Sequence, residues 1–271
     1  MSDFLLLTSA RLMELRKRTG LMIGVGLLTI GIILLIDGIT EILHATNPSM
    51  HPYVGGELRF SRISSIASPI WSVAAVLVGA TVGVSDFAAG TYRHLVITGK
   101  SKWTIYMTRI SAGLAIVISF TLFAFALQSI VATTMTPTNS QNSSFSPGSI
   151  GPSFHTIIVF GSWLLLQAIM AFSLSLGLSS LIGSRSTTIA ILFAFQIIGI
   201  PILSQVSIWG WVKDSIGGVV LNSMQPQIQG LQSIQSATGV EISQGFRFLI
   251  VLAWMVVPIF IGALVYSKRD A

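Results

Sequence analysis

The side chains able to do chemistry in this sequence are few and scattered. Its four histidines, His44, His51, His94 and His155, stand in separate segments without the spacing of a metal site. No His-Glu-x-x-His or Gly-x-Ser-x-Gly motif occurs, and with no cysteine there is neither thiol chemistry nor a disulfide. Gly99-Lys100-Ser101 looks like the end of a phosphate-binding loop, but such a loop needs a glycine five positions before Gly99, where His94 stands. The chain is therefore expected to be no enzyme and to hold no metal, cofactor or nucleotide of its own.

The remaining candidates are polar groups inside long apolar stretches. Asp37 and Glu41 lie four residues apart on one helix face. An acid inside a membrane is a functional candidate by default, but Asp37 sits about 24 Å along a helix from Leu21, near the far interface, where charge costs little. Gln167 and Gln196 fall in the middle of apolar stretches and should face other helices or a dimer seam. These four residues form a possible substrate path.

The elements that must position them are set by composition. Of 271 residues, 52% are hydrophobic and 9% charged, against roughly 25% charged in soluble domains. A soluble fold cannot hide that apolar surface, so lipid is the expected solvent. Six stretches are long enough to cross a core of about 30 Å at 1.5 Å per residue, near Leu21–Leu43, Ile66–Val84, Trp103–Val131, His155–Leu181, Thr187–Ile208 and Phe246–Tyr266. The expected fold is an all-α integral membrane protein of six transmembrane helices, organised as one domain over 1–271. The first apolar run exceeds the hydrophobic region of a signal peptide and is expected to stay as a span.

Charge asymmetry gives the orientation. With both termini cytoplasmic, Arg11, Arg16, Lys17, Arg18, Arg93, Lys100, Lys102, Arg109, Arg185, Lys268 and Arg269 lie inside, leaving Arg59, Arg62, Lys213 and Arg247 outside. That bias accounts for the net charge of +6 without nucleic acid as a partner. The first 20 residues mix Phe4, Leu5, Leu12 and Leu15 with the basic group, a composition suited to an interfacial helix rather than a solvated tail. The Ser-, Thr-, Asn- and Pro-rich run from Thr133 to Pro152 reads as an outer loop, and its Asn142-Ser143-Ser144 sequon is a short motif that arises by chance. The segment 209–245 alternates apolar residues with Gln and Ser and is expected to form short extracytoplasmic helices packed on or dipping into the outer leaflet just before the last span.

The most informative stretch runs from Asp86 to Ile110, between the second and third spans. Asp86 is followed four residues later by Gly90-Thr91, then by an amphipathic turn with Tyr92, Arg93, Leu95 and Val96, a stop at Gly99, and Lys100-Ser101-Lys102 leading into the next span. A short surface helix over 86–100, joined stiffly to two spans, can pass a push from a soluble partner into the membrane. An ordinary basic loop that fixes topology is the alternative.

In this stretch, and in its layout of amino-terminal helix, six spans, long segment before the sixth and basic tail, the chain resembles the permeases of type-2 ATP-binding-cassette (ABC) exporters. The matching positions are Asp86, Gly90, Thr91, Leu95, Val96, Thr98, Gly99, Lys100 and Ser101, with Asp86 where Glu is common and Lys100-Ser101-Lys102 where Ser-Arg is common. The resemblance implies a membrane-spanning transport subunit in the plasma membrane, paired with a second copy or a sister permease. Two separate ABC ATPase subunits would bind ATP and Mg and hydrolyse the ATP, and the segment 86–100 would be the coupling helix seated on them. The implied cargo is amphipathic or hydrophobic and leaves outwards. Two other classes stay open: an ion-coupled secondary transporter, and a non-transporting membrane assembly or immunity factor on the same fold.

Overall fold

A computed structural model describes residues 3–50, 56–88, 99, 101–134, 152–205, 210–226 and 242–268. Every regular element among them is helical. In chain order they are α1 (Asp3–Lys17), α2 (Thr19–Thr46), α3 (Gly56–Ala88), α4 (Lys102–Thr134), α5 (Phe154–Ile182), α6 (Arg185–Leu203), α7 (Gly210–Ser215), α8 (Gly217–Ser223) and α9 (Gln244–Lys268). Six helices are long and apolar enough to cross a membrane: α2, α3 over Arg59–Ser85, α4, α5, α6 and α9. The architecture is that of a multi-pass, all-helical membrane protein. Large apolar side chains such as Ile23, Leu27, Phe123, Ile198 and Phe260 point outwards from these helices, which lipid tails tolerate and water does not.

α3 is the hub and the most buried of the six apolar helices. Its closest neighbour is α5, and the approach is set by small residues. A Cβ on Gly79 would lie 2.6 Å from the Phe172 carbonyl oxygen, and one on Gly83 would lie 2.9 Å from that of Leu176. Across the same seam Ser175 Oγ donates to the Val76 carbonyl at 2.7 Å. α5 meets α9 in the same way, where Gly177 packs on the backbone of Pro258. Gly183, four residues after Ser179, instead takes a left-handed conformation, φ 75°, and caps α5. A Cβ on Gly20 or Gly24 would meet nothing within 4 Å.

Among the described residues the two larger cores lie one at each end, with a small third cluster around Ile200 and Val219. The end carrying the chain termini is filled by Leu15, Leu21, Val25, Ile105, Tyr106, Phe172 and Tyr266. The far end is filled by Ile33, Phe60, Trp71, Phe160, Trp163, Val220 and Leu221. Lys102 Nζ donates to the Ser267 carbonyl at 3.0 Å, tying the start of α4 to the end of α9. The segment before the last span contributes α7 and α8. Val219, Val220 and Leu221 are fully buried, and the Leu221 carbonyl accepts from Trp163 Nε1 at 2.9 Å. Val220 and Leu221 of α8 thus help fill the far core, and the end of α7 is held to α9, where Trp254 Nε1 donates to the Ser215 carbonyl at 2.7 Å.

α3 begins well before Ile66, so Arg59 and Arg62 stand within a helix. Pro69 lies inside it without a break. Proline removes the donor to the carbonyl four residues back, and Ser68 Oγ supplies one to that carbonyl, on Ser65, at 3.2 Å.

Candidate functional site

The polar groups inside the helices fall into separate places. At the far end, Arg59 of α3 meets the two acids of α2. Its Nε and Nη2 donate to one oxygen of Asp37 at 3.0 and 2.7 Å, and its Nη1 to Glu41 at 2.9 Å. Arg59 is 3% exposed and Asp37 8%, whereas the Glu41 side chain is 41% exposed. Asp37 and Glu41 are held by one cation because their four-residue spacing stacks both on the side of α2 that faces α3. The trio carries one net negative charge, and Asp37 Oδ2 is buried without a hydrogen bond.

One residue further along α3, the fully buried Gln128 of α4 donates through Nε2 to the Phe60 carbonyl at 2.9 Å and to Ser64 Oγ at 2.7 Å. Sequence reasoning passed over Gln128, although a glutamine inside an apolar run is the signal that singled out Gln167 and Gln196. Gln225 extends this polar face of α3 by donating to Ser65 Oγ at 2.7 Å.

Gln167 and Gln196 do not converge on the acids. Gln167 Nε2 donates to Asn222 of α8 at 3.3 Å, so it braces the short helix of the far end. Gln196 lies in a π-helical turn of α6, Phe195–Gly199. It lines a small cavity of about 10 Å³ with Val76, Ala171, Leu192 and Gly218, room for about one water. The four residues expected on a substrate path therefore occupy three places.

At the opposite end, Arg109 of α4 is 1% exposed. Its Nη1 donates to the Gly83 carbonyl at 3.4 Å and its guanidinium lies 4.5 Å from the centre of the Tyr266 ring, a cation–π contact. Tyr106 adds a ring 5.5 Å from that of Tyr266. A Cβ on Gly262 would come within 2.5 Å of the Tyr106 hydroxyl. Arg109 thereby joins α3, α4 and α9 just inside the end where α3 stops and α4 starts.

Of the segment 86–100, Asp86 belongs to the last turn of α3 and Gly99 takes φ 74° in the turn before α4. The expected contact residues Gly90, Thr91, Tyr92, Arg93, Leu95, Val96 and Lys100 lie outside the described residues. α1 packs along α4 and turns into α2 at Arg18. Glu14 fastens this corner, accepting from Arg11 Nη1 and Arg18 Nη2, both at 2.8 Å. Partial burial raises the Glu14 pKa, but the hydrogen bonds and charges of Arg11 and Arg18 outweigh it and hold the carboxyl below its ordinary value.

Among the described residues no group of three or more His, Cys, Asp or Glu is placed to hold a metal ion. No protein-family model matches the chain, and no curated protein matches it significantly.

Proposed function

We propose that this chain is the membrane-spanning subunit of an ATP-driven ABC transporter, an exporter that moves an amphipathic or hydrophobic substrate. The observation that carries the reading is the pattern from Asp86 to Ser101, which runs from the last turn of α3 to the residue before α4. α3 is the most buried span, and Arg109 and Lys102 tie the start of α4 to α3 and α9. Force applied to a helix over 86–100 would reach the packed centre of the bundle rather than a peripheral span. In this reading the terminal end faces the cytoplasm, α1 lies in the interface, and two ATPase subunits seat on the loop of each of two permease chains. The basic residues on that side favour this orientation in the plasma membrane.

The net negative cluster of Asp37, Glu41 and Arg59 is the observation that favours ion-coupled transport instead. Against it, a carboxylate held by two charge-assisted bonds from a buried arginine is poorly suited to repeated loading and release. The test is to purify the chain with co-expressed candidate ABC ATPases in nanodiscs. Substrate-stimulated ATP hydrolysis by the complex, with no nucleotide binding by the chain alone, is expected. Micromolar nucleotide binding by the pure chain, or cargo movement that follows an ion gradient and ignores ATP, would overturn the reading.

A further inference from the structure

α2 is built in two unequal halves. Its first half is anchored in the terminal core through Leu21 and Val25. A π-helical turn, Leu27–Gly31, then interrupts the α-helical ladder. Such a turn frees backbone groups and is a common site of bending. Thr29 Oγ1 donates to the Val25 carbonyl at 2.7 Å, and Trp71 Nε1 of α3 donates to the Thr29 carbonyl at 3.1 Å. The turn is thus pinned to the hub helix. Beyond it, only Ile33 and Asp37 are buried in Ile32–Thr46. Leu34, Leu35, Ile39, Ile42 and Leu43 all point away from the bundle.

We propose that Ile32–Thr46 is a hinged arm: the pinned π-turn is its pivot, and Arg59 gripping Asp37 and Glu41 is the latch that holds it against α3. The reason is a balance of forces particular to lipid. Acyl chains solvate the apolar face of the arm as well as protein does, so apolar burial does little to keep it closed. The ion latch is directional and acts at one point. With Arg59 removed, two carboxylates one turn apart repel each other at a site where one is buried, and swinging the arm outwards carries both towards water. This inference concerns the chain alone and does not depend on what it transports or on a partner.

The sequence has no cysteine, so label pairs can be introduced without removing any. Ile42 and Phe154 are 64% and 77% exposed. Spin labels there report the arm against the far end of α5, and labels at Ile23 and Met107 report the half of α2 below the pivot. In the full chain in nanodiscs, Arg59→Gln is expected to raise a longer Ile42–Phe154 distance from a minor fraction, on the order of a tenth or less, to the major one. The Ile23–Met107 distance should stay unchanged. Asp37→Asn, which leaves Arg59 bound to Glu41, serves where Arg59→Gln does not insert and should show a smaller rise. An Ile42–Phe154 distance unchanged in the variants that fold, or an equal shift of both pairs, overturns the hinge.

Discussion

Arg59 places two of its nitrogens, at 3.0 and 2.7 Å, on the same oxygen of Asp37, so that the other oxygen of this carboxylate stays buried without a hydrogen bond. The pair joins helices α2 and α3 across 22 residues of sequence. Removing one partner of a buried pair typically costs about 3–5 kcal/mol, because the other charge is left uncompensated. Arg59→Ala is expected to fall in that range and Glu41→Ala, at the exposed end of the cluster, to cost about 1 kcal/mol or less. Thermal unfolding in detergent, followed by tryptophan fluorescence, separates the two; equal effects would show that the burial of Asp37 contributes nothing.

The α3–α5 seam makes a second prediction. Gly83→Val must displace the Leu176 backbone or Ser179, and overpacking of this kind costs about 1–3 kcal/mol or more. Gly24→Ala meets no neighbour within 4 Å and should be neutral or gain up to about 1 kcal/mol of helix propensity. Both changes enlarge a glycine in a span, so the contrast tests packing rather than hydrophobicity. A Gly83→Val protein as stable as the Gly24→Ala protein would refute the close approach.

The corner at Glu14 makes a prediction with pH. Its folded pKa is held below the ordinary value of 4.5. The unfolded state therefore binds the proton more readily, and the contribution of Glu14 to stability is present above pH 4.5 and is lost as pH falls through the lower folded value. The difference in melting temperature between the parent and Glu14→Gln should be present at neutral pH and shrink on acidification towards pH 3. A difference that grows on acidification would reverse the assigned sign.

The coupling proposal is tested at Leu95. Leu95→Asp places a charge in the expected apolar contact with an ATPase, at a cost of several kcal/mol if the site is desolvated. It should abolish co-purification of the ATPase while leaving the spans inserted. Ser144→Asp, in the run 133–152, should leave both unchanged. Full partner binding by the Leu95→Asp protein would reduce 86–100 to a topological connector.

Orientation has its own measurement. Reporters fused at Ala271 and at Ser140 should give cytoplasmic and outside signals respectively, because eleven of the 15 basic residues then lie inside. The reverse pattern would overturn the orientation and, with it, the seating of an ATPase on 86–100.

The six spans and the short helices within 209–245 were legible in the sequence because hydropathy and length are local properties that any helix crossing lipid must satisfy. The acid pair Asp37 and Glu41 was legible as one helix face for the same reason: a period of 3.6 is local. What the pair touches was not. Reading Arg59 as an outer-loop charge hid its role, since only the extension of α3 by several residues brings its guanidinium beside α2. Gly20 and Gly24 have the same four-residue spacing as Gly79 and Gly83, yet a Cβ meets a partner only at the latter, because contact depends on which face turns towards which helix. Gln128, Gln167 and Gln196 look alike in sequence, each a glutamine in an apolar run. Tertiary structure sends one to the backbone of α3, one to Asn222 and one to a small cavity. In lipid the apolar pattern commits each helix to cross but is nearly indifferent to its rotation, so the choice of neighbours falls to the few polar groups and close backbone contacts that only the assembled bundle brings together.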